Sequence, residues 1–357
     1  MASNKVYRAI GLMSGTALDG EVDVALIETD GLDYVKPLDF KPFRYEDHIR
    51  DIVRSCFGKR ERDAQVKKAE EAVTDIHIRA VKTSGFQADI IGFHGQTITH
   101  DPANRFTLQI GDGQRLARET GIDVVADMRQ ADIKAGGQGA PLLPLYHRAR
   151  TANLEKPVAI LNIGGVANIT YIEENKILAF DCGPGNALMD DYIRLKTGCA
   201  YDRDGSLAAK GKVQEDLIKR WLDHPYFYKA PPKSLDRNAW DIERDLNGLS
   251  TEDALASLME FTARAITHAE EKQLLAAAQW YACGGGRHNK ALMDRLDKSL
   301  IGGIKPVEAL GWNGDATEAE GFAYLAVRSL LGLPLTEPST TGVPEAITGG
   351  IFYKAKP

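Results

Sequence analysis

Short runs of apolar residues recur along the chain and alternate with longer segments that carry an apolar stripe. The short runs are rich in Val, Ile, Phe and Tyr. Each ends on, or is followed within three residues by, Gly, Asp or Asn, which is the pattern of β-strands. The predicted strands cover residues 6–12, 22–28, 89–94, 106–110, 122–127, 157–163, 167–172, 176–181, 278–283 and 304–310.

The longer segments repeat apolar residues every three or four positions, which predicts amphipathic helices. The clearest ones cover residues 61–84, where Gly85 is a C-terminal stop signal, and residues 252–273. Further helices are predicted at residues 186–197, 288–300 and 317–332. Strands that alternate with helices indicate the α/β class.

One strand–turn–strand device occurs twice along the chain. It covers residues 8–30 and, roughly 150 residues later, residues 158–172, where the strand at 176–181 follows it. Two related halves that each open with a hairpin explain this repetition. The boundary between them is expected near residues 130–155, where the segment GGQGAPLLP interrupts the strand and helix patterns.

Composition narrows the class of protein. The 357 residues are 43% hydrophobic, enough for one large or two ordinary domains. The net charge is −6 and no block of Lys and Arg stands out, so nucleic acid is not expected as a partner.

The cysteine pattern and the hydropathy of the chain indicate the cellular compartment. The four cysteines form no CxxC pair, so we expect neither a zinc site nor a disulfide framework, and a reducing cytosol fits best. The start of the chain lacks a signal-peptide pattern, and no stretch approaches the roughly 18 apolar residues that a membrane span requires. We therefore expect a soluble, cytoplasmic protein that does not contact the membrane.

Glycine-rich turns are the first candidate for chemistry. The motifs GxxxxGK[ST], GxGxxG, HExxH and GxSxG are absent, so the common phosphate, dinucleotide, zinc and nucleophile signatures fail. Gly-rich turns nevertheless follow predicted strands at residues 14–20, 164–168 and 283–289. Backbone N–H groups in such turns can converge on an anion. One such turn is usually only a turn, whereas three in one chain favour phosphate binding.

Two carboxylates at turns, Asp181 and Asp19, are further candidates. Asp181 ends an apolar strand in FDCGPGNALMD, and Asn186 is a natural N-cap for the next helix. A carboxylate beside a helix N-terminus suits a general base, but Asp181 could instead only cap the GPGN turn. Asp19 is open to the same two interpretations, as a Mg²⁺ ligand or as an Asx cap.

Polar side chains also follow predicted strands in the first half. They are His94 and Gln96 in GFHGQTITH, Gln109 in LQIGDG, and Arg129 and Gln138 in VVADMRQADIKAGGQGAP. Such groups recognise hydroxyls, amides and carboxylates. Because several turns are expected to meet at one sheet edge, they favour a site for a polar small molecule.

Taken in order, these motifs resemble the anhydro-N-acetylmuramic acid kinase family. The resemblance runs from about residue 8 to residue 350, and its most specific segments are DMRQADIKAGGQGAP and FDCGPGNALMD. The motifs are GLMSGTALDG, GFHGQTITH, LQIGDGQ, DMRQADIKAGGQGAPLLPLYH, LNIGGVANIT, FDCGPGNALMD, CGGGRHN and GDATEAEGFAYLA.

The resemblance implies a fold and an activity. The fold is α/β, with two actin-like (ribonuclease-H-like) domains whose mixed β-sheets are flanked by helices and whose active site lies in the interdomain cleft. Residues 1–131 and about 335–357 would form the N-terminal domain, and residues 132–334 the C-terminal domain. The enzyme would be a homodimer that uses ATP and Mg²⁺. It would open the 1,6-anhydro ring with water and phosphorylate O6, giving N-acetylmuramic acid 6-phosphate in cell-wall recycling.

The resemblance also implies residue roles. Asp181 would be the catalytic base, Asp19 would hold Mg²⁺ directly or through water, Arg129 would pair with the lactyl carboxylate, and Glu318 would contact sugar hydroxyls. The implied ATP-binding residues are Ser14, Gly15, Thr16, Asp19, Gly20, Asn162, Gly164, Gly165, Asn168, Gly183, Gly284, Gly285, Gly286 and Asn289. The implied substrate-binding residues are His94, Gln96, Gln109, Arg129, Gln138 and Glu318.

The chain departs from the family pattern GTSLDGVDVAL at one place, where it reads GTALDGEVDVAL. Ala17 replaces a serine, which removes one hydroxyl that could contact phosphate, and Glu21 has the position of an inserted residue. An extra residue shifts the alternation of the following strand by one. We expect the turn to absorb it, with Val22, Val24 and Leu26 sharing one face.

Two rival functions remain open at this stage. One is an actin-fold kinase for another amino sugar or a hydroxy-acid, which would lack the DMRQADIKAGGQGAP block. The other is a non-enzymatic, nucleotide-gated sensor, which would keep the Gly-rich turns but have no use for Asp181 or Arg129.

Overall fold

The structure is a computed structural model that describes residues 5–15, 20–237, 239–273, 275 and 279–356. The strands are β1 Tyr7–Met13, β2 Glu21–Thr29, β3 Val35–Arg44, β4 Ile90–Phe93, β5 Gln96–Asp101, β6 Phe106–Ile110, β7 Asp123–Ala126, β8 Val158–Ile163, β9 Val166–Ile172, β10 Ile177–Pro184, β11 Gln279–Cys283, β12 Ile304–Pro306 and β13 Ile351–Tyr353. The α-helices are α1 Asp47–Arg54, α2 Ala64–Ser84, α3 Gly113–Thr120, α4 Gln130–Lys134, α5 Pro144–Arg150, α6 Ala187–Thr197, α7 Glu215–Leu222, α8 Thr251–Gln273, α9 Lys290–Asp297, α10 Thr317–Leu330 and α11 Pro338–Thr341.

The chain forms two compact units, residues 1–153 with 316–357, and residues 154–315. The sheet of the first unit has the strand order β13-β7-β4-β1-β2-β3. Strands β1, β2 and β3 form an antiparallel meander, whereas β4 and β7 run parallel to β1. Strands β5 and β6 form a separate hairpin.

The sheet of the second unit repeats this plan. Its order is β10-β9-β8-β11-β12, where β8, β9 and β10 form the antiparallel meander and β11 and β12 run parallel to β8. In both units the meander therefore precedes two parallel strands on the side of its first strand. This duplication confirms the predicted α/β fold of two related, actin-like halves.

Most of the predicted helices and strands are confirmed. The helices expected at 61–84, 186–197 and 252–273 correspond to α2, α6 and α8, and Gly85 and Gly198 end the first two with left-handed φ values of 69° and 78°. The strand expected at 304–310 is wrong in its second half, because residues 307–310 form a 3₁₀ turn. Strand β3 was not predicted, since its burial pattern shows no buried position and it contains two prolines.

The unit boundaries differ from those implied by the resemblance. Residues 132–153 and 316–334 belong to the first unit, not the second. The physical reason is that α5 and α10 bury Tyr146 and Phe322 in one apolar cluster with Ala9 and Ile27 of the first sheet. The Gly- and Pro-rich segment that suggested a boundary lies within the first unit.

Helix α10 lies directly on β1 and β4. Gly11 and Gly92 are opposite each other on these strands. A Cβ on Gly11 would lie 1.7 Å from the carbonyl oxygen of Ala319, and one on Gly92 would lie 2.0 Å from that of Phe322. The main chain of the helix can approach the sheet this closely only because both positions are glycine.

Glu21 is the first residue of β2, and the strand shows the alternation expected from the sequence. Val22, Val24 and Leu26 are buried in the cluster that includes α2, whereas Ala25 and Ile27 are buried in the cluster that includes α10. After Gly20, the apolar side chains of β2 therefore alternate between two apolar clusters, one on each face of the sheet. Ala17 lies outside the described residues.

No helix in the described ranges is both long enough and apolar enough to cross a membrane.

Replacement of Gly11 by alanine tests the contact between α10 and the sheet. Because the obstructing atom belongs to the backbone, we expect Gly11→Ala to lower the free energy of unfolding by about 3 kcal/mol, measured by urea denaturation. Gly58→Ala is the control, since Gly58 has φ 81° and no atom within 4 Å of a Cβ. Its cost should be only the backbone strain, about 1 kcal/mol. Equal losses in the two variants would contradict the close-packing account.

Candidate active site

Three predicted segments of the second unit meet at one edge of its sheet. Strands β8, β10 and β11 all run in the same direction, so their carboxyl ends share that edge. Gly164 and Gly165 follow β8, Asp181 lies near the end of β10, and Gly284 follows β11. Open α/β sheets bind ligands at this edge.

Backbone hydrogen bonds join the turn after β10 to the turn after β8. The Asn186 N–H donates to the Gly164 oxygen at 2.8 Å, and the Gly185 N–H donates to the Gly165 oxygen at 3.0 Å. A Cβ on Gly185 would lie 2.1 Å from the Gly164 oxygen, and one on Gly183 would lie 2.5 Å from a side chain of α8. Both glycines are therefore required by packing.

The turn after β11 packs against the end of β8. Gly284 has φ 75°, and its Cβ would lie 2.2 Å from Oδ1 of Asn162. A Cβ on Gly286 would lie 2.3 Å from Cγ2 of Ile163. These two glycines hold the third turn against the other two.

Three other glycines at this edge are not explained by packing. A Cβ would lie no closer than 3.6 Å to any neighbour at Gly164 and Gly165, and no closer than 3.7 Å at Gly285. None of the three has a positive φ. Since neither crowding nor backbone strain requires glycine here, the missing side chain instead leaves the main chain open to a ligand. An anion such as phosphate fits open backbone N–H groups of this kind.

Three polar side chains form a row beside these turns. Asn168 on β9 is directly opposite Asn162 on β8 and opposite Asp181 on β10. Directly opposed residues of neighbouring strands project from the same face of a sheet. The structure thus places the candidate catalytic carboxylate in one row with two of the predicted nucleotide-binding residues, directly beside Asn168.

The position of Asp181 is fixed by the segment 226–235. The aspartate is 6% exposed, and its Oδ2 accepts a hydrogen bond of 2.7 Å from the Leu235 N–H. Its own N–H donates to the Lys233 oxygen at 3.0 Å, and the Tyr226 hydroxyl donates to its carbonyl oxygen. The carboxylate is therefore buried, oriented and stabilised by a backbone donor, as a proton acceptor requires.

Two asparagines at helix starts have different roles. Asn186 is the N-cap residue of α6, as predicted, but its side chain makes no capping hydrogen bond. Its Nδ2 donates to the Ile163 oxygen at 3.2 Å, which ties the helix start to β8. Asn289, a predicted ATP-binding residue, accepts from the Leu292 N–H at 3.0 Å and so caps α9.

Arg287 supports the turn after β11 and was missed by the sequence analysis. Its side chain is 3% exposed, and it donates to Glu308 and Asp315 at 2.8 Å each and to the Gly284 oxygen at 3.1 Å. A Cβ on Gly314 would lie 2.2 Å from its Nε. No local spacing links these residues along the chain, so only the fold shows that the arginine holds the turn.

A second group of predicted residues lies at the strand ends of the first unit. Strands β1, β4 and β7 are parallel, and Ser14, His94 and Arg129 follow their ends. Ser14 is 2% exposed, and its hydroxyl has no hydrogen-bond partner among the residues that are described. A buried hydroxyl of this kind suits a ligand contact. Thr16 and Asp19 lie outside the described residues. Gly15 and Gly20 are described and lie on either side of that gap in the chain.

His94 and Arg129 form a hydrogen-bonded pair. The His94 Nδ1 lies 2.8 Å from the Gly95 oxygen, so it carries the proton, and Nε2 accepts from Nε of Arg129 at 3.1 Å. Burial, followed by the charge of Arg129, holds the pKa of His94 well below 6.5, so the imidazole is neutral. The Arg129 Nη1 donates to the Gly139 oxygen at 2.7 Å, which orients the guanidinium.

The two predicted glutamines are buried on the hairpin of β5 and β6. Gln96 is 1% exposed, and its Nε2 lies 3.5 Å from the Gly15 oxygen. Gln109 is 4% exposed, and its Nε2 donates to Thr107 at 2.7 Å and to Thr97 at 3.2 Å. Its Oε1 has no partner in the part of the chain that the structure describes.

Gln138 belongs to a loop that a buried aspartate holds. Asp132, 1% exposed, accepts from the Gly139 N–H at 2.6 Å and from the Thr341 hydroxyl at 2.5 Å. The Gln138 N–H donates to the Thr341 oxygen at 2.7 Å. The resulting loop presents the Gly139 carbonyl that orients Arg129.

Glu318 lies in the first turn of α10 and is half-buried. Its position follows from the contact of that helix with Gly11 and Gly92. The described residues contain no group of three or more His, Cys, Asp or Glu side chains that could hold a metal ion. Asp19, the predicted Mg²⁺ ligand, is not among them.

The duplicated α/β fold, with Gly-rich turns and a buried carboxylate at its strand ends, places the chain in the actin-like class. The model of the anhydro-N-acetylmuramic acid kinase family matches residues 7–355. The chain therefore belongs to that family.

Similar proteins agree with this assignment. The chain is 47% identical to an anhydro-N-acetylmuramic acid kinase of Rhizorhabdus wittichii, over 97% of this chain and 98% of that one. It is 48% identical to one of Paramagnetospirillum magneticum, over 96% and 98% of the two chains. Neither of the two rival functions is favoured by these similarities.

The solved structures to which the chain is similar are more distant. A ROK family glucokinase from Streptomyces griseus, in complex with glucose and AMPPNP, is 13% identical over 89% of this chain and 99% of that one, with a TM-score of 0.43. The activator of the 2-hydroxyisocaproyl-CoA dehydratase from Clostridium difficile, with bound ADPNP, is 11% identical over 91% and 96%, with a TM-score of 0.42.

Removal of the Arg287 side chain tests its structural role. Arg287→Met should lower the free energy of unfolding by about 3 kcal/mol, because it breaks a buried ion-pair network and releases the turn after β11. Lys290→Met is the control, since Lys290 makes an ion pair with Asp294 in which both side chains are more than half exposed. That change should cost less than about 0.5 kcal/mol. Similar urea midpoints for both variants would show that Arg287 does not hold the turn.

Proposed function

We propose that this chain opens the 1,6-anhydro ring of anhydro-N-acetylmuramic acid with water and phosphorylates O6 from ATP. The products are N-acetylmuramic acid 6-phosphate and ADP. The observation that carries the proposal is the row formed by Asn162, Asn168 and Asp181 beside glycines with an open main chain. Membership of the family supports the identity of the sugar.

The reaction balances with one base. Asp181 takes a proton from water as the water oxygen bonds to the anomeric carbon, and the bond from that carbon to O6 breaks. The O6 oxygen then bonds to the γ-phosphorus of ATP as the bond to the β-phosphate oxygen breaks. Water thus supplies the anomeric hydroxyl, ATP supplies the phosphoryl group, and the proton on Asp181 passes to the solvent, which restores the base. A positioned base contributes typically about 100- to 10,000-fold to such a step.

The Gly-rich turns are assigned to the nucleotide. In the second unit, Gly164 and Gly165 would approach the phosphates with their open main chain. In the first unit, Ser14, Gly15 and Asp19 are assigned to phosphate binding. The turn 284–286, which Arg287 supports, would lie near the adenosine. Mg²⁺ held by Asp19 would neutralise charge on the transferring phosphates.

The first-unit residues are assigned to the sugar. Arg129 can pair with the lactyl carboxylate, because planar guanidinium groups bind carboxylates with two parallel hydrogen bonds. Its orientation by neutral His94 and by the Gly139 carbonyl supports this role. Gln96, Gln109, Gln138 and Glu318 would contact hydroxyl and amide groups.

The biological setting follows from the substrate. The 1,6-anhydro sugar is a product of cell-wall turnover, so the reaction would return it to metabolism as part of peptidoglycan recycling. We propose a cytoplasmic homodimer, as implied by the family.

Oxygen-18-labelled water distinguishes this reaction from simple phosphorylation. Incubation with ATP, Mg²⁺ and 1,6-anhydro-N-acetylmuramic acid in labelled water should give ADP and a 6-phosphorylated reducing sugar. Mass spectrometry should find one label on the anomeric oxygen and none on the phosphate. Turnover of only non-anhydro sugars would favour an actin-fold kinase for another substrate. Absence of any sugar-dependent ADP would exclude the enzyme function.

Substitution of the candidate base tests the mechanism. Asp181→Asn should lower kcat by about 1,000-fold, because the amide cannot accept the proton from water. The Kd for ATP, measured by calorimetry, should change less than about threefold. Asp216→Asn, at a side chain that is fully exposed on α7, is the control and should behave as wild type. A wild-type kcat in Asp181→Asn would remove Asp181 from this role.

A further inference from the structure

A lysine is buried beside Asp181 and has no part in the reaction described above. Lys233 is only 8% exposed, although burial of an ammonium group is costly unless other groups compensate it. It lies in the segment 226–235, which makes the three hydrogen bonds to Asp181 described above. A costly buried charge at this place requires an explanation.

The ammonium group is held within its own segment. Its Nζ donates to the Tyr226 carbonyl oxygen at 3.1 Å and lies 4.4 Å from the centroid of the Tyr226 ring. A cation over an aromatic face is stabilised by the ring quadrupole. Lys233 therefore folds the segment back on Tyr226, whose hydroxyl donates to the carbonyl oxygen of Asp181.

Among the residues that the structure describes, Asp181 is the carboxylate that acts on the charge of Lys233. The titratable groups that face it are Asp181, Cys182, Tyr226, Lys229 and His268. Burial, followed by the charge of Asp181, raises the pKa of Cys182 and that of Tyr226. Both groups are consequently neutral at pH 7. Burial, followed by the charge of Lys272, lowers the pKa of His268, so the histidine adds no positive charge at that pH.

The neighbouring charges also influence the protonation of Lys233. Burial lowers the pKa of Lys233, and nearby Lys229 lowers it further, whereas Cys182 and Asp181 act in the opposite direction. The lysine and the aspartate thus stabilise each other's charged forms. Loss of the lysine charge would leave a buried carboxylate with weaker support.

We propose that Lys233 is a positioning residue for the reaction, which holds the segment 226–235 against Asp181 and keeps this carboxylate ionised. The inference rests on the proposed role of Asp181 as the base. It extends that role to a residue that has no contact with the reacting atoms and acts through the aspartate.

Lys233→Met removes the charge and keeps a flexible apolar side chain. We expect kcat with the anhydro sugar to fall about 30-fold, whereas the KM for ATP should stay within about threefold. The acid limb of the kcat/KM profile should move to higher pH by about one unit, because a carboxylate that loses a nearby cation binds its proton more tightly. A merely structural role would lower the amount of folded enzyme without a shift of this limb.

Two further variants separate charge from position. Lys233→Arg keeps the positive charge, so its acid limb should stay at the wild-type pH even if kcat falls. Lys229→Met removes an exposed lysine from the same segment and should leave both kcat and the acid limb unchanged. A shift as large in Lys229→Met as in Lys233→Met would overturn the proposal.

The outcomes distinguish this inference from the proposed function. If Asp181→Asn is fully active, the proposed base is wrong. If Asp181→Asn is inactive but Lys233→Met has the wild-type kcat and acid limb, the base stands and the role of Lys233 is wrong.

If Lys233→Met does not fold, Tyr226→Phe tests the proposal instead. This change removes only the hydroxyl that donates to the carbonyl oxygen of Asp181. Its kcat should fall at least about fivefold with an unchanged KM for ATP. A wild-type kcat in Tyr226→Phe would overturn the proposal that the segment 226–235 positions Asp181.

Discussion

The candidate active site depends on main chains that touch without intervening side chains. In the second unit, the turns after β8, β10 and β11 contact one another because Gly185, Gly284 and Gly286 have no Cβ. In the first unit, α10 lies on β1 and β4 through Gly11 and Gly92. Protein interiors are packed too densely to accommodate an added methyl group at such points. Each contact therefore restricts how the connected turns and helix can move relative to their sheet.

Glycines at the strand ends fall into two kinds that the sequence does not distinguish. Those at 183, 185, 284 and 286 are required by packing, whereas Gly164, Gly165 and Gly285 have room for a side chain and ordinary φ values. Only the second kind leaves an unexplained open main chain, which is the feature expected where phosphate binds. The structure thus divides the predicted glycines into those that packing requires and those that are candidates for contact with phosphate.

In both units, burial affects the charge state and the position of side chains in the candidate site. In the first unit, His94 is kept neutral by burial and by Arg129, so the imidazole can accept a hydrogen bond that orients the guanidinium. In the second unit, a buried arginine supports a turn and a buried lysine lies in the segment that donates a hydrogen bond to the candidate base. Buried charges of this kind are costly and persist where they fix geometry or protonation. In the second unit, buried cations thus support segments that carry candidate ligand-binding groups, whereas in the first unit a neutral histidine orients a cation.

The sequence by itself determined the elements with strong local signals and the identity of the family. Apolar periodicity and the glycines at 85 and 198 defined α2 and α6, and the repeated hairpin indicated two related halves. These signals are local, because periodicity and capping act within a few residues. Only the tertiary structure decided that α5 and α10 belong to the first unit, that Asn162, Asn168 and Asp181 form one row, and that Arg287 and Lys233 support the site. Such relations join residues far apart in the chain through strand pairing and packing, for which no short spacing in the sequence exists.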